Sequence, residues 1–397
     1  MAPMREGESG RIVTLDALRG IALFGILFVN LFSFGADSIA WSSVSDRGVW
    51  LVKHILFESK FWGLYSILFG MSFYLFMRSA RFSYRALGRR LIILFLFGAI
   101  HALIFEGDIL MLYAELAVLL LLLHRVSARW LWVLVVALCL SFPLGHFIQP
   151  DRDADSLPES VVEAERWLME DRADDVHVYG TPGEILLAHT DFIPEVFWAD
   201  FQYPDSGLVV LAFFLIGYLM ARSDVLQSGR YPAHLKGRLL IGCWLLGLLL
   251  MALEQAVLRP LGYSAFSESL STREVTLLGD IIYLLATLLL TAAWFLTAHY
   301  CAEHGRFRNV ITTLARAGRM SLTLYLSQTL IFTTIFYGYG FDQAYRLGPG
   351  QVFLLAVSIY AVQLVFASLW FRWFCTGPLE WIWRMGTHGQ REAIQRQ

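Results

Sequence analysis

Charge is what this sequence has least of. Only 16% of its 397 residues are Asp, Glu, Lys or Arg, against ~25% in an ordinary soluble domain. A water-soluble globule of this size needs more charge to cover its surface. A soluble enzyme is therefore excluded, and so is a disordered chain. The net charge of −2 supplies no basic field, which argues against nucleic acid as a partner. Cysteine is scarce as well. Cys139, Cys243, Cys301 and Cys375 stand far apart, none in a CxxC or His/Cys spacing, so no metal is expected. They lie in or beside apolar runs and read as small inert hydrophobes. No cleavable signal peptide is evident. The first apolar run, Ile21–Phe34, contains Asn30 and lacks a small-residue cleavage site, so it is expected to remain as a first span. Low-complexity segments and internal repeats are missing too, and with them the inverted-repeat signature of many secondary transporters.

What fills the chain is apolar. Hydrophobic residues make up 57% and aromatics 15%, with a mean hydropathy of +0.56. The expected fold class is all-α, a polytopic integral membrane helix bundle. Apolar runs near the ~20-residue bilayer length fall at about 15–35, 55–77, 90–106, 109–124, 129–149, 206–222, 239–257, 276–299, 320–339 and 351–373, which predicts about ten transmembrane helices. Glu106-Gly107-Asp108 interrupts the third and fourth as a tight turn and makes them a hairpin. Three regions are expected: a membrane half at 1–149, an acidic cap at 150–205, and a second membrane half at 206–397.

Orientation follows from Lys and Arg. With a cytoplasmic N-terminus, the inside segments hold twenty-two of these residues and the outside segments eight. Both termini are then cytoplasmic and the 150–205 segment lies outside, as expected of a multi-pass protein of a bacterial inner (plasma) membrane. Between Asp151 and Asp205 that segment carries fifteen acidic side chains against three arginines. It reads either as a solvated cap kept soluble by its acids or as a lid that admits an external substrate. Ser156–Ala173 looks like a short helix, Tyr179–Gly183 like a turn, and Ile185–Phe201 like an amphipathic stretch along the membrane surface.

Ionisable groups within the spans need partners or water. Asn30, His54, Glu58, Lys60, His101, Asp108, Tyr113, Glu115, Glu254, Gln255, Asp280 and Tyr283 all fall in the outer half of the predicted spans. Singly, each has a structural explanation: Glu58 and Lys60 can snorkel, Asp108 can cap a helix, and Asn30 and His101 can bond neighbouring helices. Together they predict a polar cavity opening outward. A second cluster, Asp16, Arg19, Arg89, Arg90, Arg316 and Arg319, falls at the inner face. It reads as the positive-inside signal or as a phosphate site. Asp16 and Arg19, at i and i+3, are spaced to pair on a helix.

The string Thr14-Leu15-Asp16-Ala17-Leu18-Arg19-Gly20, followed by Asn30, resembles the opening of the YeiB-like bacterial membrane proteins. The resemblance continues through Lys60-Phe61, Leu68-Phe69-Gly70, His101 and Gly107-Asp108. It extends to Gly318-Arg319-Met320-Ser321-Leu322-Thr323 with Tyr325 and Gln328, and ends at Gly377-Pro378-Leu379-Glu380-Trp381 with Arg384. From about 230 onward the chain resembles that family's domain of unknown function, DUF418. The first half is similar to the transmembrane acyltransferases, which include heparan-alpha-glucosaminide N-acetyltransferase.

That second likeness implies a function. Such enzymes carry an acyl group from cytoplasmic acyl-CoA to an acceptor across the membrane. Arg19-Gly20 followed by Asn30 matches the asparagine they use. The histidine they carry after the first span has no counterpart in Ala36–Ser45, where Trp41 stands near the expected place. His101 would then serve as base, with Asp108 or Glu58 setting its tautomer. Asn30 would stabilise the oxyanion. Arg19, Arg316 and Arg319, beside Asp16, would hold the acyl-CoA phosphates. Lys60, Tyr113, Glu115 and Gln328 are the expected substrate-side residues. Membrane lipids and a small-molecule, sugar or lipid acceptor are the expected partners, and a homodimer is left open. The competing readings are a transporter or channel using the same polar groups, and a scaffold in which those groups only lock helix packing.

Overall fold

The computed structural model describes residues 6–34, 43–105, 107–148, 175–190, 207–223, 233–258, 272–303, 307–389 and 394–395. Among these the fold is helical, with one isolated bridge between Phe374 and Gln395 and no named strand. The main helices are α1 Glu6–Phe32, α2 Val44–Val52, α3 Lys60–Met77, α4 Tyr84–Ala102, α5 Leu110–Leu123, α6 Ala128–Ile148, α7 Gly207–Arg222, α8 Ala233–Leu253, α9 Thr272–Glu303, α10 Arg308–Arg319, α11 Ser321–Phe336, α12 Pro349–Trp373 and α13 Pro378–His388.

Each predicted apolar run contains a helix, and the helices differ in reach. Five stretches are long and apolar enough to cross a membrane: Val13–Phe32, Ala128–Gly145, Leu235–Ala256, Glu274–Glu303 and Pro349–Trp373. Leu110–Leu123, Gly207–Arg222 and Ser321–Phe336 are apolar but shorter. The surface supports the membrane reading. Leu122, Val136, Leu249 and Val362 are exposed, and α6, α8 and α12 each present an apolar outer face that water would not tolerate over such an area.

Two crossings hold the bundle at close range. A Cβ at Gly20 would sit 2.2 Å from the Leu314 carbonyl oxygen, and one at Gly318 would sit 1.8 Å from that of Asp16. The contact is reciprocal, so α1 and α10 meet backbone to backbone. The same device joins α3 and α7, through Gly70 against the Phe214 oxygen at 2.0 Å and Gly217 against that of Ile67 at 1.9 Å. Small residues that let backbones touch are the main packing device where lipid offers no hydrophobic drive.

The structure departs from the predicted spans at three places. The second run is broken: a π turn at Lys53–Phe57 follows α2, Ser59 adopts a left-handed φ of 62°, and only then does α3 begin. A second π turn, Glu254–Leu258, ends α8. The ninth run is preceded by a separate amphipathic helix, α10, divided from α11 at Met320. Ile311, Ala315 and Gly318 form its buried stripe, a helical spacing readable in the sequence. The predicted helix at Ser156–Ala173 lies outside the described residues, as do Glu106, residues 35–42 with Trp41, and most of Ile185–Phe201. The described part of the cap, 175–190, holds a helical turn at Val176–Tyr179 and a helix over 182–190. Thr181 and Glu184 start the latter with a capping box.

Candidate functional site

A polar cavity forms where α1, α3, α4, α10 and α13 converge around the N-terminal part of α1. Its volume is about 340 Å³. Arg19, Arg90, Arg319 and Arg384 line it together with Asp16 and Glu380, so guanidinium groups outnumber carboxylates four to two. The predicted pairing holds, since Arg19 donates to Asp16 and also to Ser72 Oγ of α3. Arg90 is gripped between rings, its guanidinium 3.9 Å from the Trp383 centroid and 5.2 Å from that of Phe76. Arg319 lies 4.5 Å over Phe371 and donates to the Cys375 carbonyl at 2.7 Å. Glu380 accepts from the Thr323 backbone N–H at 3.0 Å and from its hydroxyl at 2.6 Å. One carboxylate is therefore held by neutral donors and the other by a single arginine. The remaining cationic groups face a concave, partly apolar space, a setting suited to phosphate or carboxylate oxygens.

Arg316, grouped with Arg319 by the sequence, is half-buried on α10 and does not line this cavity. Arg90, Arg384 and Glu380 do. In the sequence Arg90 stands out only as part of the basic cluster, and Arg384 and Glu380 only within the family resemblance.

The predicted outer residues separate into two networks. In the first, His101 Nδ1 lies 2.6 Å from Asp108 Oδ1 and His101 Nε2 lies 2.6 Å from Thr329 Oγ1. A carboxylate only accepts, so Nδ1 carries a proton, and in the neutral imidazole Nε2 is then the acceptor for the Thr329 hydroxyl. Asp108 also accepts from the Met111 backbone N–H at 2.8 Å, capping the start of α5. His101 and Thr329 are both 2% exposed. Tyr325 stands beside the imidazole, with ring centroids 5.0 Å apart. Asp108, rather than Glu58, thus sets the His101 tautomer. No hydrogen bond joins Asn30 to His101 among the described residues.

The second network surrounds the breaks at Ser59 and at the end of α8. Glu58 accepts from His54 Nδ1 at 2.7 Å and lies 3.6 Å from the Lys53 ammonium. Gln255 bridges His54 and Glu254. Lys60 is fully buried, donates to the His54 carbonyl at 2.9 Å and lies 4.9 Å over the Tyr283 ring. The other predicted substrate-side residues join neither network. The Tyr113 hydroxyl pairs with Ser66 at 2.7 Å, Gln328 donates to Gln363 at 2.8 Å, and Glu115 is half-buried on α5. Among the described residues, no cluster of three or more His, Cys, Asp or Glu side chains is placed to hold a metal.

The sequence is similar to other proteins along most of its length. Residues 220–390 match the family described as a protein of unknown function, DUF418. The uncharacterized protein YxaH of Bacillus subtilis is 29% identical to the chain, covering 97% of it and 96% of the relative. The uncharacterized protein YeiB of Escherichia coli is 27% identical, over 95% of this chain and 96% of its own. An uncharacterized 39.9 kDa protein from the amylase 3' region of Bacillus acidopullulyticus is 25% identical over 97% and 96%.

Proposed function

Since this chain is a YeiB-like protein of the DUF418 family, with helices apolar enough to cross a membrane, we propose that it is an integral membrane acyltransferase. It takes an acyl group from cytoplasmic acyl-CoA and passes it to a hydroxyl- or amine-bearing acceptor in the envelope. The arginine cavity carries this reading. Four guanidinium groups against two carboxylates, in a recess floored by aromatic rings, fit the several phosphates of CoA. On this reading the cavity opens to the cytoplasm of a bacterial cell, both termini lie on that side, and the 150–205 cap lies outside. Along α4, His101 follows Arg90 by eleven residues, which is about 16 Å of helix rise. The CoA arm spans this depth and brings its thioester to the buried polar groups.

The test is direct. Purified full-length protein should be stabilised by CoA, less so as salt is raised. It should release free CoA thiol from acyl-CoA when an acceptor is supplied. Stabilisation by CoA without thiol release across a broad panel of acyl chains and acceptors would remove the enzyme reading. Orientation is checked with Glu184→Cys and Arg308→Cys in a Cys375→Ser background. An impermeant reagent added outside should label the first and spare the second.

The Lys60 network favours a second reading, a transporter. Interrupted helices that meet buried charged groups are how many membrane carriers hold ions and solutes. Flux into proteoliposomes that Lys60→Met abolishes, without any acyl transfer, would put this reading first.

A further inference from the structure

The third member of the His101 network is a hydroxyl supplied by another helix, Thr329 of α11. A histidine buried in a bundle can discharge its second nitrogen on a carbonyl or an amide. Here Nε2 instead receives the Thr329 hydroxyl at 2.6 Å while Nδ1 donates to Asp108 at 2.6 Å. Carboxylate, imidazole and hydroxyl stand in line, each within hydrogen-bond reach of the next. A carboxylate that fixes the tautomer, a base freed at Nε2 and a hydroxyl donating to that base form the constellation that activates a nucleophile on unrelated folds. The three residues come from three elements: α4, the turn before α5, and α11.

Its position suits an acyl group arriving from the arginine cavity. Ser321, at the start of α11, lines that cavity. Tyr325 follows one turn later and Thr329 one turn after that, at spacings that keep all three on one side of the helix. Ser321 to Thr329 is eight residues, about 12 Å of rise. Tyr325 occupies the intervening turn, in ring contact with His101 and hydrogen-bonded to the Gly107 carbonyl at 3.3 Å.

We propose that Thr329 is the nucleophile of this protein, taking the acyl group as a covalent ester before the acceptor receives it. The proposal rests on the acyltransferase reading above and adds a ping-pong step to it. Thr329 Oγ1 attacks the thioester carbonyl carbon and His101 Nε2 takes the hydroxyl proton. The tetrahedral adduct collapses with cleavage of the C–S bond, and His101 returns the proton to the departing thiolate. In the second half the acceptor hydroxyl or amine attacks the Thr329 ester and gives its proton to His101. The C–O bond to Thr329 breaks and the hydroxyl is restored. No oxidant, reductant or metal enters the balance.

Two probes on the full-length protein in detergent separate this step from the donor assignment. An alkyl fluorophosphonate, which reports an activated hydroxyl whatever the natural donor, should add once to the wild type at Thr329 by intact mass and peptide mapping. Labelled acyl-CoA without acceptor should leave one acyl ester on the same residue. Both adducts should persist in Thr329→Ser. Both should vanish in the near-isosteric Thr329→Val, which keeps a monodisperse profile and still binds CoA. His101→Gln should slow both by about 10²–10⁴-fold. Labelling by the fluorophosphonate but not by acyl-CoA would keep Thr329 as nucleophile and overturn the donor assignment. Wild-type acyl transfer by Thr329→Val would overturn the nucleophile and leave the enzyme reading standing. Absence of both adducts from folded wild type would overturn the proposal.

Discussion

The arginine cavity and the Lys60 network face the same problem, charge inside an apolar bundle, and solve it in opposite ways. Around Lys60 the charges are pooled and closed upon themselves. Glu58 has His54 and Lys53, Gln255 joins His54 to Glu254, and the ammonium ends on a carbonyl and a ring. Around Arg19 the charges are left in excess. Among the described lining residues four arginines stand beside two carboxylates, Asp16 and Glu380, and Glu380 accepts from Thr323. A closed network stabilises a particular backbone, here two interrupted helices. An open excess of one sign costs stability and is retained where a ligand of the other sign completes it. The His101 network lies between the two, closed like the first yet ending in a hydroxyl.

The comparison is broken most sharply at the cavity lip. Arg319 and Arg384 are both exposed there, so replacing both with Gln should cost the fold little beyond the Arg319 bond to the Cys375 carbonyl, about 0.5–1.5 kcal/mol. Hydrogen bonds to charged groups are each worth about 1.5–3 kcal/mol. The pair should therefore weaken binding of CoA, or of inorganic pyrophosphate as a minimal probe, by about 10²–10⁴-fold. Arg316→Gln, outside the cavity, should change neither quantity. A double variant that binds normally but unfolds early would make the cavity a structural network like that of Lys60.

Asp108→Ala sharpens the comparison from the closed side. It removes the partner of His101 Nδ1 and the cap on the Met111 N–H. The sum is about 2–4 kcal/mol of lost stability, with CoA affinity intact. Asp108→Asn keeps one acceptor oxygen for the Met111 N–H and should lose less, while its NH2 turns a donor towards His101 Nδ1. A stable Asp108→Ala protein with wild-type melting would mean that this network contributes little to the fold.

Much of the frame was legible because it rests on local pattern. The ten apolar runs, the turn at Gly107-Asp108 and the Asp16–Arg19 pair each follow from neighbours in sequence. The cavity was not legible as a unit. Arg319 meets Arg19 because Gly20 and Gly318 let α1 and α10 touch, and Arg90 and Arg384 join them because α13 folds back so that Trp383 stacks on Arg90 and donates to its carbonyl at 2.8 Å. Arg316 and Arg319 look equivalent three residues apart, yet only the second stands at the break before α11. Thr329 gave no signal at all, since a threonine in an apolar helix usually bonds its own backbone. The break at Ser59 was hidden inside a run whose composition reads as one span.

The smallest expected effect concerns the cap, where a carboxylate–imidazole pair recurs at the end of the bundle away from the arginine cavity. Asp175 accepts from the His177 backbone N–H at 2.8 Å and from its Nδ1 at 2.6 Å, and His177 Nε2 lies 2.8 Å from His189 Nε2. The segment docks through the His177 ring on Tyr337 and through the Gly338 N–H, which donates to the His177 carbonyl at 2.8 Å. Partial burial pushes the Asp175 carboxyl up, but hydrogen bonds from His177 and Tyr345 and the charge of His177 outweigh it and hold it below the ordinary 3.8. A carboxyl depressed in the docked state contributes stability that is fully present above its free value. That contribution is lost as pH falls through the lower, docked value. Protection from hydrogen exchange over 175–190, taken against the intrinsic rate at each pH, should therefore hold at pH 7 and fall only as pH drops below about 4. Asp175→Ala should lower protection already at pH 7, by the roughly fivefold that about 1 kcal/mol of a lost cap gives, and should flatten the acid dependence. Exchange in α4 and α11 should not follow. If Asp175→Ala leaves the protection of 175–190 unchanged at pH 7, the pair decorates the cap without holding it.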